Sequence, residues 1–185
     1  LMLMFEDISG LLRKKGGKRV ALRESVQTAA RLAGKRFERH HVDVTYDLGG
    51  EDEIAVQASA ELILGALTNL IDNSLYWLRV RWPDPMPGEP SRRRLHVRLL
   101  REHGDGAMLV VADIGPGFRD DADVLARPFF TRRPDGMGLG LYYSSMAMQL
   151  NGGTLMLGDL PDIDLPAELD GAIVAMAFPE SRVVQ

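Results

Sequence analysis

The sequence predicts an α/β protein of the layered kind, in which helices cover one face of a mixed, mainly antiparallel sheet. Strand-like segments outnumber helical ones, and most of them follow one another directly along the chain. This order favours a two-layer sandwich over a doubly wound parallel sheet. The composition, 45% apolar and 26% charged, is that of an ordinary globular protein with a buried core.

The first half of the chain predicts strands at 20–22, 42–46 and 54–57 and helices at 24–37 and 59–77. Val42, Val44 and Tyr46 alternate with polar residues, as in a half-buried strand. The second helix is the clearest, because residues 63, 66, 67, 70 and 71 form one apolar face. Ser59 is of the type that caps a helix N-terminus.

The second half predicts strands at 95–100, 108–113, 154–157 and 172–178 and a helix at 139–150. Four prolines make 81–91 a loop. A hairpin turn is expected at Gly104-Asp105-Gly106, and 115–135 is irregular. Asn151-Gly152-Gly153 is typical of a glycine C-cap that ends the last helix.

Residues 1–12 have a helical apolar stripe that is too short to be stable in water by itself. A basic run at 13–19 follows and is either a solvated joint or a contact for an anion or partner. We therefore divide the chain into 1–18, a helical stub and joint, and 19–185, the main domain. Because the chain begins at Leu1 rather than Met, we expect a longer protein.

Several functional classes conflict with the composition. A net charge of −4 argues against bulk nucleic-acid binding, which relies on a basic surface. No unbroken run reaches the roughly 20 apolar residues of a membrane span, so we expect neither a membrane segment nor a signal peptide in this chain. The absence of cysteine excludes disulfides and thiolate metal sites and favours a reducing, cytoplasmic location.

Asn69 and Asn73 lie four residues apart on the clearest predicted helix and therefore share a face. Asparagine is a poor helix former because its amide competes for backbone hydrogen bonds. Two asparagines in mid-helix are either solvent-exposed or functional. An amide oxygen can ligate a hard cation such as Mg²⁺.

Asp113 follows an apolar strand directly and begins the segment Asp113-Ile114-Gly115-Pro116-Gly117. An ionised carboxylate only accepts hydrogen bonds, so it suits a ligand with donors, such as the amine of adenine. Gly115 and Gly117 would let the backbone approach that ligand closely. Taken alone, the segment is also typical of an ordinary turn.

Residues 128–141 read PFFTRRPDGMGLGL and have the composition of a mobile flap over a phosphate. Gly136, Gly138 and Gly140 precede a predicted helix, whose N-terminal N–H groups can bind an anion. The spacing matches neither the dinucleotide fingerprint nor the Walker loop. Phe129 and Phe130 are either core residues or the anchor of the flap. Arg132 and Arg133 are either an exposed pair or a means of neutralising a terminal phosphate.

In this order, the motifs resemble the Bergerat-type ATP-binding fold shared by DNA gyrase, a heat-shock chaperone, sensor histidine kinases and mismatch-repair proteins. The sequence is most similar to the histidine-kinase branch, through residues 128–141 and the following Asn151-Gly152-Gly153-Thr154-Leu155. The resemblance extends over roughly residues 19–179.

The resemblance implies a role for each motif. Asn73 would ligate the Mg²⁺ that bridges the phosphates of ATP, and Asp113 would bind the adenine amine. Arg133 stands where the family often has a lysine that reaches the terminal phosphate. The remaining nucleotide-binding residues would be Asn69, Gly115, Gly117, Phe130, Thr131, Gly136, Gly138, Gly140 and Leu141.

The resemblance implies that Asn69 and Arg133 have catalytic roles. Asn69 occupies the position at which the gyrase-like branch carries a glutamate that activates water. An amide cannot accept that proton, which favours phosphoryl transfer over hydrolysis.

The sequence departs from the family pattern at three places. Tyr76 stands where kinases commonly have a lysine or arginine that contacts phosphate. Ala172 and Ile173 stand where a threonine often helps bind adenine. The loop at 79–94 is longer and richer in proline than expected. It is either an ordinary variable surface loop or a contact for a partner.

The resemblance implies the ATP-binding catalytic domain of a sensor-type histidine kinase, which transfers the γ-phosphoryl group of Mg-ATP to a histidine outside this chain. That histidine is expected upstream, on a dimerisation hairpin whose last part is 1–12, and a response regulator is a possible downstream partner. The full-length protein can be membrane-anchored.

Two alternatives remain. One is a nucleotide-operated switch that binds or slowly hydrolyses ATP to control a protein partner. The other, a degenerate domain without nucleotide, is disfavoured because Asn73, Asp113 and all five glycines are present.

Overall fold

The computed structural model describes residues 17–50, 53–86, 89–101, 106–158, 160 and 163–184. In chain order the elements are β1 (Lys18–Ala21), α1 (Leu22–Arg39), β2 (Val42–Asp47), β3 (Ala55–Ala58), α2 (Ala60–Arg81), β4 (Arg93–Arg101), β5 (Ala107–Asp113), α3 (Ala122–Leu125), α4 (Gly140–Leu150), β6 (Thr154–Leu157), β7 (Ile173–Phe178), a 3₁₀ turn (Glu180–Arg182) and β8 (Val183–Val184).

Five strands form the main sheet in the order β2-β4-β5-β7-β6. The edge strand β2 runs parallel to β4, with Val44 beside Leu95, and the other neighbours are antiparallel. The prediction of a mixed, mainly antiparallel sheet is confirmed. A second sheet, β1-β3-β8, was not predicted because β8 has only two residues and no strand pattern of its own.

The core lies between the helices and one face of the main sheet. Alternate residues of β4, Leu95, Val97 and Leu99, point into it and are almost fully buried. On the helix side, Ile63 and Leu67 of α2 are fully buried. Burying a side chain of this size contributes about 1.5–3 kcal/mol. The apolar stripe of α2 therefore fixes this helix against the sheet, and the predicted two-layer arrangement is confirmed.

The opposite face of the sheet is also covered, by the connection between β6 and β7. Leu160, Ile163 and Leu165 pack against Met108 and Val110 of β5. Strand β5 is consequently buried at every position, which explains why its sequence is continuously apolar rather than alternating. We call residues 160 and 163–165 the rear cover.

The predicted helix boundaries hold to within a few residues. Helix α1 begins at Leu22 and ends at Arg39, and α2 extends to Arg81, where Trp82 becomes extended. The Ser59 hydroxyl accepts a hydrogen bond from the Leu62 N–H at 3.4 Å, which confirms the N-cap.

The end of α4 has the hydrogen bonds of a Schellman motif. The Gly153 N–H bonds to the Met148 carbonyl at 2.9 Å, and the Gly152 N–H bonds to the Gln149 carbonyl at 3.0 Å. Gly152 has φ +72°, which favours glycine. The predicted glycine C-cap is confirmed.

The start of the proline-rich loop is attached to the domain by Arg93, which is only 2% exposed. Its guanidinium donates to the carbonyls of Trp82 and His40 and to the Asp84 carboxylate. The described part of the loop is thus bound to β4 and to the end of α1.

Some predictions fall on residues that the structure does not describe. The stub at 1–12, most of the basic run at 13–19 and the turn residues Gly104-Asp105 lie outside the described ranges. Lys18 already pairs with Ala58 in the small sheet, and the division of the chain at residue 18 stays a prediction. In the described ranges, no helix is long and apolar enough to cross a bilayer.

Candidate functional site

A cavity of about 720 Å³ opens between α2, the end of β5 and the segment 116–141. Eleven of the twelve predicted site residues line it: Asn69, Asn73, Asp113, Gly117, Phe130, Thr131, Arg133, Gly136, Gly138, Gly140 and Leu141. Gly115 lies immediately behind the wall, where an added Cβ would stand 2.9 Å from the Asp113 carboxylate. Residues separated by up to 72 positions in the sequence thus meet in one place.

Asp113 forms the buried end of the cavity and is 1% exposed. Its Oδ2 accepts from the Ser74 hydroxyl at 2.6 Å, and its Oδ1 accepts from the N–H groups of Gly115 at 2.8 Å and Ala172 at 3.1 Å. Burial raises the pKa of this carboxyl, and the three hydrogen bonds oppose the rise. A carboxylate has about four acceptor positions, so one is left for a donor on a ligand.

Two residues around Asp113 were missed by the sequence reasoning. An added Cβ on Gly171 would lie 2.5 Å from the Asp113 carbonyl oxygen and from the Gly115 nitrogen, so only glycine fits there. Ser74 supplies a hydroxyl to Asp113 from α2, on the opposite side from Ala172. Its position on the apolar stripe of α2, four residues after Leu70, was the available signal.

Arg81 connects three segments at this end of the cavity and was also missed. Its guanidinium donates to the carbonyls of Ile114 and Gly115 at 3.1 and 2.6 Å. It also makes two hydrogen bonds to the Asp170 carboxylate, at 2.9 and 3.1 Å, and these lower the pKa of Asp170. The C-terminus of α2 thereby holds both chain segments that flank Asp113.

Asn69 and Asn73 also line the cavity, and both lie close to the N-terminus of α4. A Cβ added to Gly140 would be 3.7 Å from the Asn73 amide nitrogen and 3.8 Å from the Asn69 amide oxygen. Among the described residues, no cluster of three His, Cys, Asp or Glu side chains could hold a metal ion. A hard cation here would need the amide oxygens together with oxygen atoms of a ligand, which is how Mg²⁺ commonly binds with phosphates.

Residues 115–139, which we call the lid, close one side of the cavity. The Phe129 N–H bonds to the Gly138 carbonyl at 2.9 Å. An added Cβ on Gly138 would lie 2.4 Å from the Phe129 carbonyl carbon, and one on Gly136 would lie 2.6 Å from the Thr131 hydroxyl. Packing inside the lid therefore accounts for these two glycines, whereas Gly140 faces the cavity.

The two phenylalanines of the lid have different environments. Phe130 lines the cavity, but Phe129 is 67% exposed and has φ +67°, which is unusual for a bulky residue. Phe129 is therefore neither a core residue nor an anchor, and that expectation is wrong for it. The left-handed backbone turns its side chain outward.

The two lid arginines also differ. Arg132 makes two hydrogen bonds to Asp120, at 2.6 and 2.7 Å, and these lower the pKa of that carboxyl. Arg133 lines the cavity, and its guanidinium carbon lies 4.2 Å from the centre of the Tyr76 ring. One of its terminal nitrogens donates to the Asn73 amide oxygen at 3.4 Å. Arg133 thus stands beside the two asparagines.

No family model matches the chain. It is 28% identical to the C4-dicarboxylate transport sensor protein DctB of Pseudomonas aeruginosa over 79% of this chain and 23% of that protein. The DctB of Rhizobium meliloti is 31% identical over 73% of this chain and 20% of that protein. The sensor histidine kinase RegB of Cereibacter sphaeroides is 27% identical over 90% of this chain and 37% of that protein. The chain therefore spans well under half of these relatives.

Solved structures have the same fold. The mycobacterial sensor histidine kinase MprB superposes with a TM-score of 0.68 at 22% identity, over 88% of this chain and 97% of that one. The ATP-binding domain of PrrB from Mycobacterium tuberculosis superposes with a TM-score of 0.61 at 18% identity, over 89% of this chain and 97% of that one. These matches do not favour the alternative of a nucleotide-operated switch that controls a protein partner. The chain is a homologue of the sensor histidine kinases, and its fold is that of their ATP-binding catalytic domains.

Proposed function

We propose that this chain binds Mg-ATP and is the catalytic domain of a sensor-type histidine kinase, which transfers the γ-phosphoryl group to a histidine outside the chain. One observation carries the proposal: a buried carboxylate, Asp113, lines the same cavity as a cluster of two asparagines, an arginine and a helix N-terminus. Its volume of about 720 Å³ is within the usual range for a small-molecule site.

The buried end suits adenine. Asp113 has an acceptor position for the exocyclic amine, and Gly117 lines the cavity without a side chain. A buried acceptor without its donor is costly, so a base that lacks the amine would be rejected. Val111 and Val174 supply apolar walls for the ring.

The open end suits the phosphates. Helix α4 directs its N-terminal N–H groups toward Asn69 and Asn73, and helix N-termini favour anions. Asn73 would hold Mg²⁺ through its amide oxygen, and Arg133 would contact the terminal phosphate. When bound, Mg²⁺ supplies positive charge that offsets the charge of the phosphates.

The residues favour phosphoryl transfer over hydrolysis. Asn69 has no basic group to activate water. The nucleophile would be an imidazole nitrogen of the acceptor. Its bond to the γ-phosphorus forms as the bond from that phosphorus to the bridging oxygen breaks, ADP leaves, and the imidazole proton passes to solvent. The role of this chain is to bind and orient the nucleotide.

We further propose the setting of this reaction. The acceptor would lie on a dimerisation hairpin of the same protein, for which 1–18 would be the end and the joint, with a response regulator downstream. The domain would work in the cytoplasm. The relatives, which are several times longer than this chain, support this arrangement through their names as sensor proteins.

Calorimetric titration with Mg-ATP tests the binding site. Wild type should bind, and Asp113→Asn should lose at least about tenfold in affinity, because an amide presents a donor as well as an acceptor and the complementarity to the adenine amine is reduced. Asp43→Asn, on the exposed side of β2, is the matched control and should bind like wild type. Equal binding by Asp113→Asn would refute the adenine assignment.

The reaction needs the longer protein. Incubated with ATP labelled at the γ-phosphate, it should acquire label that is stable to alkali and lost in acid, as expected for a phosphorus–nitrogen bond. Release of inorganic phosphate in large excess over labelled protein would instead indicate an ATPase.

A further inference from the structure

Tyr76 occupies the position where the resemblance leads one to expect a lysine or arginine that contacts phosphate. It lies three residues after Asn73, one turn along the same face of α2. Its ring meets the guanidinium of Arg133, which comes from the lid, with 4.2 Å between the guanidinium carbon and the ring centre. The other arginine–ring distances in the described structure are longer, from 4.9 to 6.0 Å.

Little else restrains the Arg133 side chain. Its contact with the Asn73 amide oxygen, at 3.4 Å, is at the long end of the hydrogen-bond range. Its Nε is buried and has no hydrogen-bond partner among the residues that the structure describes. In the described residues no carboxylate forms an ion pair with it, in contrast to Arg132 with Asp120. The face of the Tyr76 ring is therefore its closest support.

The position of the guanidinium fits an anion. It lies beside Asn73, whose amide group is within 4 Å of a Cβ added to Gly140 at the start of α4. A cation that is stacked on a ring and unpaired with a carboxylate keeps its charge for a ligand. The buried, unpartnered Nε supplies a further donor in the same wall.

We propose that Tyr76 is a positioning residue, which holds Arg133 at the phosphate end of the cavity and thereby sets the preference for a nucleoside triphosphate over a diphosphate. At the position where the resemblance implies a second basic side chain, the ring on α2 instead supports the arginine on the lid. This inference rests on the proposed function, because it concerns the same nucleotide site.

Calorimetry with Mg-ATP and Mg-ADP in parallel tests the inference. Tyr76→Leu should lose about tenfold in affinity for Mg-ATP, the scale of a partly desolvated cation–π contact. Its affinity for Mg-ADP should change much less, so the ratio of the two affinities falls. Tyr76→Phe should keep the wild-type ratio, because the attraction comes from the ring. Tyr46→Leu makes the same change on the edge strand β2, where no arginine of the described residues stacks on the ring, and should also keep it.

A second comparison shows whether Tyr76 acts through Arg133. Arg133→Ala should lower the ratio as Tyr76→Leu does, and adding Tyr76→Leu to Arg133→Ala should change it no further. If Tyr76→Leu does not fold, Arg133→Ala and Tyr76→Phe still decide: the first must lower the ratio and the second must preserve it.

The outcomes separate this inference from the proposed function. If wild type binds neither nucleotide, the proposed function and this inference are both refuted. If wild type binds and Tyr76→Leu weakens ATP and ADP equally, or Tyr76→Phe behaves like Tyr76→Leu, the nucleotide site stands and the role of Tyr76 is refuted.

Discussion

The burial of the Asp113 carboxylate comes at the expense of stability. The carboxylate is almost completely removed from water, and its three hydrogen bonds come from one hydroxyl and two backbone N–H groups, with no close cation among these donors. Burial raises its pKa above the ordinary value of 3.8. A group that is needed for ligand recognition is often unfavourable for folding in this way.

This property predicts a pH-dependent stability. The folded protein binds the Asp113 proton more tightly than the unfolded chain does, so the contribution of Asp113 to stability is full below pH 3.8 and is lost as the pH rises through the raised folded pKa. Asp113→Asn removes this loss. Without nucleotide, the free energy of unfolding of the variant minus that of wild type should increase as the pH rises.

Urea denaturation from pH 4 to pH 8 measures this difference. A difference that stays constant or decreases with pH would show that the hydrogen bonds to Asp113 outweigh its burial. The same variant binds nucleotide weakly under our proposal, so it would be less active, while its stability relative to wild type would be higher at neutral pH than at acidic pH.

Single residues were predictable where they belong to a motif. Asp113, Asn73 and Gly140 were identified because strand ends, helix spacing and glycine patterns are local signals. Arg81 was not, since its partner Asp170 is 89 residues away and neither has a motif. Gly171 was missed for the same reason: its close contact with Asp113 exists only after β5 and β7 have paired.

At the scale of elements, the helix ends show that the backbone conformation decides the effect of a glycine. Gly152 ends α4 with φ +72°, and an added Cβ would lie 2.5 Å from Nε of Arg182. Gly34 lies inside α1, and an added Cβ would meet nothing within 4 Å. The same substitution should therefore have opposite effects at the two positions.

We expect Gly34→Ala to stabilise the protein by about 0.5–1 kcal/mol, the difference in helix propensity. Gly152→Ala should destabilise it by about 1 kcal/mol, because alanine is strained at positive φ. Chemical denaturation of both variants against wild type measures the two changes. Changes of the same sign would contradict the assigned C-cap.

Long elements with a clear period were predicted well, and short ones were not. The apolar stripe of α2 indicated the helix, although its end at Arg81 is four residues beyond the predicted one. Strand β8 has two residues and exists only by pairing with β3. The four-residue helix α3 has no buried side chain and hence no apolar pattern to detect.

For the whole molecule, Arg81 adds a polar connection between the helix layer and the sheet. Its hydrogen bonds connect the end of α2 to the loop after β5 and to Asp170, which precedes β7. We expect Arg81→Met to lower the free energy of unfolding by about 1–2 kcal/mol, since a few partly exposed charged hydrogen bonds are lost. It should also weaken Mg-ATP binding, because the segments that position Asp113 are released.

Arg79→Met is the matched control for this variant. It makes the same change two residues earlier on α2, at an exposed position. It should leave both the stability and the affinity close to those of wild type. If the two variants have equal affinity, the contacts of Arg81 are not what holds the adenine end of the cavity together.

The main sheet was predictable in class but not in full. Neighbouring strands in the sequence indicated antiparallel pairing, which holds for β4 with β5 and for β6 with β7. The parallel pairing of β2 with β4 was not predicted. These strands are not consecutive in the sequence: β3 and α2 lie between them, and β3 belongs to the other sheet. Such a pairing is decided by packing across the whole domain.

The connection from β6 to β7 joins the two faces of the sheet. Its middle forms the rear cover, where Leu160, Ile163 and Leu165 need only be apolar, and its end passes Asp170 and Gly171 beside Asp113. Related proteins should therefore differ freely along the rear cover and very little at Gly171.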